Sequence, residues 1–189
     1  ANAAPQGVGK MVAVMNTQAE TIEAICQEAS QVGIVSPANY NTPQQIVIGG
    51  EVAAVDQAVQ LLQEAGAKRM IPLNVSGPFH TKLLEPASQQ LAQELAKIEI
   101  KDLQVPVISN TTAKPMKQAQ VKELLEKQVK SPVRFYESIE QLKQMGIEQM
   151  IEIGPGKVLT GFLKKIDKTI ATSRVEDAQT LSDTLSRFD

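Results

Sequence analysis

The first third of the chain alternates between two hydrophobic periodicities, and this alternation constrains the fold more than any other feature. Strand-like runs are predicted at residues 11–16, 34–38, 45–49 and 68–74. Two helices are predicted between them, with these apolar stripes: Ile22, Ile25, Cys26 and Ala29 on the first, and Val52, Val55, Val59 and Leu62 on the second. The order strand, helix, strand, strand, helix, strand predicts a ferredoxin-like (βαββαβ) subdomain over residues 8–74.

Local signals mark the ends of these two helices. The run Thr17-Gln18-Ala19-Glu20 has the form of a capping box at the start of the first helix. Gly66 stands where a C′ residue would end the second helix. Cys26 lies on an apolar stripe, so we expect a small buried hydrophobe in preference to a reactive thiol.

From residue 81 onward helices alternate with single apolar strands, which is typical of an α/β layer with a parallel sheet. The first helix of this second part of the chain has Pro86 near its first turn, where proline is tolerated. Its predicted apolar face consists of Leu84, Ala87, Leu91, Leu95 and Ile98. Strands are predicted at residues 105–109, 149–153 and 169–174, and helices at 120–129, 134–145, 158–166 and around Leu181 and Leu185. Three short strands form only part of a sheet, whose open edge lacks a partner in the predicted pattern.

Composition excludes several classes of function. The 189 residues include 19 basic and 21 acidic side chains, so no strong positive field indicates nucleic-acid binding. No apolar run approaches the roughly 20 residues of a membrane span. One cysteine and one histidine supply no recognisable metal-ligand cluster. We therefore expect a cytoplasmic protein without a metal, a membrane or a nucleic-acid partner, and its single cysteine suits a reducing compartment.

The run Gly154-Pro155-Gly156-Lys157 follows a predicted strand and opens a helix, which is the position of a phosphate-binding loop. The P-loop pattern fails because Val158 follows the lysine, and the dinucleotide pattern fails because Leu159 occupies the third glycine position. The run is interpreted as a strand-to-helix turn at the positive end of a helix dipole.

The stretch NVSGPFHTK, residues 74–82, contains the only histidine, His80. A histidine in a Gly-Pro loop between subdomains is either a structural residue or a general base. A base requires a nucleophile, and the chain contains no G-x-S-x-G elbow. Ser76 lies in the same connection, and a local turn role is the preferred interpretation of it. The residues themselves leave both roles of His80 open.

Several stretches match one family in order and across nearly the whole chain. They are residues 39–48, Gly66-Ala67-Lys68-Arg69, Ser76-Gly77-Pro78-Phe79-His80, Val105-Pro106-Val107-Ile108-Ser109-Asn110, residues 128–133 and residues 153–161. With these motifs the chain resembles the C-terminal two-thirds of the malonyl-CoA:acyl carrier protein transacylases and, more distantly, the acyltransferase domains of polyketide synthases.

The resemblance implies a ping-pong acyl transfer, in which a serine takes malonyl from coenzyme A and passes it to the phosphopantetheine thiol of acyl carrier protein. No cofactor is implied. His80 matches the family's catalytic histidine, and Gln128 matches the residue whose backbone carbonyl orients that histidine. Phe79 and Asn41 match substrate-binding positions, and a bulky ring at Phe79 would crowd a 2-methyl group on the acyl chain.

The resemblance also implies contact with an acidic acyl carrier protein. Lys143, Lys164, Lys165 and Lys168 could form a basic rim for it. The alternative, that these lysines are solvated helix faces, is at least as well founded.

The family's serine elbow, its oxyanion-forming Gly-Gln-Gly loop and its carboxylate-binding arginine have no counterpart in this sequence. Arg69, Arg134, Arg174 and Arg187 do not match that arginine, and Phe135 stands where many relatives have Trp. We therefore expect residues 75–189 to be the C-terminal part of an α/β-hydrolase-like core whose N-terminal segment lies elsewhere in a longer polypeptide. Alone, the chain is expected to lack activity. The competing hypothesis is a non-catalytic ferredoxin-like binding or regulatory module fused to an α/β segment.

Overall fold

The computed structural model describes residues 9–75 and 77–188. The strands are β1 (Gly9–Met15), β2 (Val35–Thr42), β3 (Gln45–Glu51), β4 (Arg69–Pro72), β5 (Gln149–Ile153) and β6 (Ala171–Val175). The helices are α1 (Ala19–Ala29), α2 (Val52–Glu64), α3 (Glu85–Ala96), α4 (Val121–Lys130), α5 (Phe135–Gln144), α6 (Val158–Ile166) and α7 (Ala178–Leu185). Short 3₁₀ helices at Lys82–Leu84 and Gln118–Gln120 precede α3 and α4. The chain divides into two compact units, with the boundary between Ser138 and Ile139.

In the first unit, β1 to β4 form one antiparallel sheet in the order β2-β3-β1-β4. The central pair β1 and β3 is in register from Gly9 opposite Glu51 to Met15 opposite Gln45. The predicted succession of strands and helices over the first third of the chain is confirmed. The strand boundaries lie within two residues of those expected, except that β2 continues to Thr42, four residues beyond its predicted end.

The sheet separates two apolar clusters because successive side chains on a strand point to opposite faces. Val12 and Val14 of β1 pack with the apolar stripes of α1 and α2 on one face. Met11 and Ala13 pack with Ala38 and Val47 on the other. One face of the sheet is therefore covered by the two helices, and the opposite face is available to the segment that follows β4.

The start of α1 differs from the expected capping box. The N-cap is Gln18, whose side chain makes no capping hydrogen bond. The Thr17 hydroxyl instead donates to the carbonyl of Met15 at 3.3 Å. The prediction is wrong because this threonine closes a local bond to the preceding strand and precedes the N-cap.

The inner face of α2 is also shifted from the predicted stripe. Val52 is 38% exposed and Val59 is only partly buried, whereas Ala54 and Ala58 are fully buried beside Val55 and Leu62. Small side chains allow a helix to approach a sheet closely, and a pattern based on large apolar residues misses them. The predicted role of Gly66 is confirmed: its φ is +93°, and Ala67 N–H donates to Leu62 O at 2.9 Å in a Schellman arrangement.

Cys26 is 2% exposed within the core between the sheet and its helices. Burial, with a smaller contribution from Glu23, raises the pKa of its thiol to about 12. The thiol is therefore protonated and shielded at neutral pH, which confirms the expectation of a small buried hydrophobe.

The predicted buried strand at residues 105–109 is wrong. Val105 is 65% exposed, and the segment is not assigned to a strand. Its backbone bonds are local: Met116 N–H donates to Val107 O at 2.8 Å and Ser109 N–H to Lys114 O at 3.0 Å. A short apolar run becomes a strand only where a neighbouring strand completes its ladder, and none of the described strands lies beside this run.

The second unit contains β5 and β6 paired in parallel, from Gln149 opposite Ala171 to Ile153 opposite Val175. Helix α6 connects them, and α7 follows β6, with the Thr184 hydroxyl donating to Arg174 O at 3.0 Å. Strand β5 exposes Ile151 by 41% and Ile153 by 81%. The elements predicted after residue 149 are confirmed, but β5 and β6 are the only parallel strand pair among the described residues.

We predict that Gly50→Ala destabilises the first unit. A Cβ at this position would lie 2.7 Å from Val35 Cα and would overlap the carbonyl of Ile34. Backbone must move to admit it, at a cost of about 1–3 kcal/mol. Urea denaturation followed by circular dichroism measures the loss.

The matched control is Gly161→Ala in α6, where nothing lies within 4 Å of the new Cβ. It should be neutral or stabilising by up to about 1 kcal/mol. Equal stabilities for Gly50→Ala and the unmodified chain would contradict the packing described for β2 and β3.

Candidate active site

The single histidine lies in a tight loop between β4 and the 3₁₀ helix that precedes α3. His80 has φ +60°, in the left-handed region that non-glycine residues seldom adopt. The loop is closed on both sides of His80: Phe79 N–H donates to Gly77 O at 3.0 Å, and the Thr81 hydroxyl donates to Pro78 O at 2.7 Å. A strained backbone held by such bonds is common where a side chain is presented for function. Ser76, interpreted above as a turn residue, lies outside the described residues.

The loop is seated on the sheet face opposite α1 and α2. Pro78 and Thr81 are both fully buried. Each of them packs against a glycine of the sheet. A Cβ on Gly9 would lie 2.6 Å from Pro78 Cβ and closer still to Pro78 Cγ. A Cβ on Gly49 would lie 3.2 Å from Thr81 Cγ2. The loop therefore approaches the backbone of β1 and β3 at positions where any side chain would obstruct it.

The half-buried His80 ring meets the end of α4. Its Nδ1 lies 2.9 Å from the carbonyl oxygen of Gln128. The last four carbonyls of a helix have no partner within the helix, so this oxygen is free to accept. A carbonyl cannot donate, so Nδ1 must carry the proton, which leaves Nε2 unprotonated in the neutral ring. The structure thus brings together His80 and the Gln128 carbonyl, the two residues that the resemblance assigns to catalysis.

The segment after α4 is tied to the edge of the sheet. Val133 pairs with β2 through two bonds, Tyr40 N–H to Val133 O at 2.8 Å and Val133 N–H to Ala38 O at 2.9 Å. Arg134 N–H then donates to Asn110 O at 2.8 Å. These bonds position the end of α4 relative to β2.

The two predicted substrate-binding residues lie on different elements. Phe79 adjoins His80 in the loop and is 41% exposed, so part of its ring is accessible. Asn41 is half-buried in β2, at an irregularity of register between Tyr40 and Thr42. Irregularities of this kind redirect side chains at strand edges. The role of both residues in substrate binding stays a prediction.

A polar group beside β2 has no counterpart among the site residues predicted from the sequence. The Tyr40 hydroxyl donates to Glu23 Oε1 at 2.6 Å, and the Arg134 guanidinium lies 5.9 Å from the centre of the Tyr40 ring. Burial and the hydrogen bond to Glu23 raise the pKa of Tyr40 well above its usual range. Arg134 Nη1 also donates to both carboxylate oxygens of Glu137, and the spacing of three residues between them was the only signal in the sequence.

In the second unit, the Gly154-Pro155-Gly156 turn is closed by carboxylates of the same unit. Glu152 accepts from the N–H groups of Leu159 and Thr160 at 3.0 and 2.8 Å, at the start of α6. Glu176 Oε2 accepts from Gly156 N–H at 2.8 Å. These three N–H groups are therefore not free to bind a phosphate, which supports the interpretation of a structural turn.

One lysine of the predicted basic rim already forms ion pairs within the chain. Lys143 pairs with Asp167 at 2.9 Å and with Glu140 at 3.1 Å, while Lys164 and Lys165 lie in the last turn of α6.

Within residues 9–75 and 77–188, no cluster of three or more His, Cys, Asp or Glu side chains could hold a metal. In the same ranges, no helix has the length and apolar character needed to cross a bilayer.

Together these features define a mixed α/β protein in which a main-chain carbonyl holds one histidine in a fixed orientation. The acyl transferase domain family matches residues 2–183, so the chain belongs to that family. The resemblance stated from the sequence is confirmed. The malonyl CoA-acyl carrier protein transacylase of Bacillus subtilis is 46% identical over 181 residues, which are 95% of this chain and 57% of the relative. The transacylase of Escherichia coli K12 is 39% identical over 95% of this chain and 59% of the relative.

Solved structures agree with these sequence relatives. The crystal structure of MCAT from Streptococcus pneumoniae superposes with a TM-score of 0.96 at 60% identity, over 98% of this chain and 61% of that one. A malonyl-transacylase in complex with its type II polyketide synthase acyl-carrier protein superposes with a TM-score of 0.93 at 40% identity, over 98% of this chain and 60% of that one. The chain thus spans about 60% of the length of the proteins that it matches.

We predict that Gly9→Ala displaces the histidine loop. The new Cβ would overlap the Pro78 ring, so the loop must shift away from β1. The sole histidine gives one set of ring resonances, which should move in a heteronuclear NMR spectrum. Gly161→Ala is the control and should leave these resonances in place. An unchanged histidine spectrum for Gly9→Ala would contradict the seating of Pro78 on Gly9.

Proposed function

We propose that the chain supplies the general base of a malonyl-CoA:acyl carrier protein transacylase. The observation that carries the proposal is the 2.9 Å hydrogen bond between His80 Nδ1 and the Gln128 carbonyl, in a chain that belongs to the acyl transferase domain family. It leaves Nε2 as the only ring atom able to take a proton from a nucleophile. Malonyl-CoA and the phosphopantetheine thiol of acyl carrier protein are the proposed substrates, and the reaction requires no cofactor.

In the proposed cycle, Nε2 of His80 removes the proton of a serine hydroxyl as that oxygen attacks the malonyl thioester. The imidazolium then protonates the departing coenzyme A thiolate. In the second half, Nε2 removes the proton of the carrier-protein thiol as its sulfur attacks the serine ester. The imidazolium then returns that proton to the departing serine oxygen, which regenerates the free serine and the neutral ring. The chain has no G-x-S-x-G elbow, so the serine is assigned to a segment outside these 189 residues.

The Gln128 carbonyl has a second proposed role. It belongs to the last turn of α4, where the helix dipole places partial negative charge. A carbonyl lacks the full charge of the aspartate in a Ser-His-Asp triad, but at a helix C-terminus it still favours the positive ring that forms in each half-reaction.

The finer architecture is part of the same proposal. Residues 8–74 are assigned to a ferredoxin-like subdomain, which the β2-β3-β1-β4 order supports. Residues 75–189 are assigned to the C-terminal part of an α/β-hydrolase-like core, which the parallel pair β5-β6 supports. Acyl carrier protein as partner is supported by the solved complex of a similar malonyl-transacylase with its acyl-carrier protein.

We predict that His80→Ala in the full-length polypeptide lowers kcat/KM for malonyl transfer by about 10²–10⁴, the usual contribution of a general base. Transfer of radiolabelled malonyl from malonyl-CoA to acyl carrier protein measures it. Gln128→Ala keeps the carbonyl and should retain most activity. Lys127→Ala, on the solvent side of α4, controls for a substitution on that helix. Full activity of His80→Ala would exclude the proposed base and favour the non-catalytic module.

Substrate selectivity provides a separate prediction. If the Phe79 ring crowds a 2-methyl group, Phe79→Ser should raise the rate with methylmalonyl-CoA relative to malonyl-CoA by about tenfold, because one methyl group is worth about 1–3 kcal/mol of discrimination. Phe79→Tyr keeps the ring and should preserve the preference. An unchanged ratio of the two kcat/KM values in Phe79→Ser would exclude this role.

A further inference from the structure

The hydrogen bond between His80 and Gln128 joins two segments that are far apart in sequence, and a polar network connects α3 and α4 close to both residues in sequence. Glu85 is in the first turn of α3, five residues after His80. Lys130 is the last residue of α4, two residues after Gln128. Each end of the hydrogen bond is therefore continuous in sequence with one partner of this network.

The network has four contacts, of which three bridge α3 and α4 and one lies within α4. Lys130 Nζ donates to Glu85 Oε1 at 2.8 Å and to Glu126 Oε1 at 3.3 Å. The Ser88 hydroxyl lies 3.1 Å from Glu126 O and 3.3 Å from Glu126 Oε1. One lysine thus joins a carboxylate of α3 to a carboxylate of its own helix, and a serine of α3 reaches the backbone of α4 two residues before Gln128.

Burial and charge give these contacts more weight than an ordinary surface pair. Ser88 is completely buried, and the Lys130 side chain is only 22% exposed. Glu85 lies at the positive end of α3 and Lys130 at the negative end of α4, so each charge is also favoured by its own helix dipole. The hydrogen bond from Lys130 lowers the pKa of Glu85, and the one to Glu85 raises the pKa of Lys130, so both groups stay charged at neutral pH.

The short connection between His80 and α3 leaves little freedom to absorb movement. Thr81 is fully buried, and its carbonyl accepts from Leu84 N–H at 3.0 Å in the 3₁₀ turn that leads into Glu85. A rotation or translation of the first turn of α3 is therefore transmitted to the His80 ring. A change in the last turn of α4 is transmitted to the Gln128 carbonyl.

We propose that Glu85, Ser88, Glu126 and Lys130 form a positioning clamp that fixes the distance between His80 Nδ1 and the Gln128 carbonyl. The clamp holds the start of α3 against the end of α4, and through that contact it determines the tautomer of His80. None of its members needs to touch a substrate. Its consequence for catalysis rests on the proposed function, but its effect on the ring does not.

The sole histidine makes the clamp measurable without an activity assay. Long-range ¹H–¹⁵N spectra of the chain report the tautomer of one ring, and the chain unfolded in urea supplies the reference for an unconstrained histidine. In the unmodified chain, the proton is expected on Nδ1. Lys130→Met and Glu85→Gln should each shift the tautomer ratio severalfold toward the unfolded reference. Lys130→Arg can still reach both carboxylates and should keep the original ratio.

The matched control is Lys127→Met, which removes the exposed pair with Glu123 at the same helical spacing on α4. It should leave the tautomer unchanged at a similar cost to helix stability. A tautomer ratio in Lys130→Met and Glu85→Gln equal to that in Lys127→Met would overturn the clamp. Glu85→Gln, whose side chain is 44% exposed, keeps the test valid if Lys130→Met fails to fold.

Kinetics in the full-length polypeptide separate the clamp from the proposed function. If the unmodified full-length polypeptide transfers malonyl, Lys130→Met should lower kcat about tenfold with little change in KM, because the substitution misplaces the base without altering substrate binding. A fall confined to KM would count against the clamp. A full-length polypeptide that transfers no malonyl, with the tautomer shift still observed, would refute the proposed function and support the clamp.

Discussion

A single hydrogen bond, from His80 Nδ1–H to the Gln128 carbonyl, is the contact on which the proposed chemistry of this chain depends. It joins a loop on one face of an antiparallel sheet to the last turn of a helix 48 residues further along the chain. The carbonyl is available because helix ends leave acceptors unsatisfied, and it fixes the tautomer because it can only accept. The orientation of one imidazole ring therefore depends on how a helix ends and how a loop is seated.

The surrounding structure serves this geometry from two directions. Glycines in β1 and β3 admit Pro78 and Thr81 against the sheet backbone, and His80, which lies between these two residues in the chain, has a left-handed backbone conformation. Polar contacts between α3 and α4, from Lys130 to Glu85 and from Ser88 to Glu126, hold the helix that carries the acceptor. Packing against backbone and charge pairing between helices thus converge on the same ring, a dependence expected where a side chain must be held in one rotamer.

Much of the secondary structure was predictable because its signals are local. The strands and helices of residues 9–72 and 149–185 follow hydrophobic periodicity, and Gly66 ends α2 as its position suggests. The failures occur where a local pattern has two solutions. Thr17 bonds to Met15, so the expected capping box does not form, and the apolar run at 105–109 makes local turns because no described strand completes a ladder for it. The alanines Ala54 and Ala58 were missed because burial of small residues depends on interhelical and helix-sheet distance, which composition does not encode.

For the site, the sequence by itself determined which residues are candidates: the only histidine, in a Gly-Pro-Phe-His run, and the motifs that identify the acyl transferase family. Gln128 was inferred from that resemblance, since a backbone carbonyl has no signature in the identity of its side chain. Only the tertiary structure decided that the carbonyl lies 2.9 Å from Nδ1, and that Glu85, Ser88, Glu126 and Lys130 meet where α3 contacts α4. The physical reason is that hydrogen bonds act over about 3 Å, and separations on that scale between distant segments are set by packing.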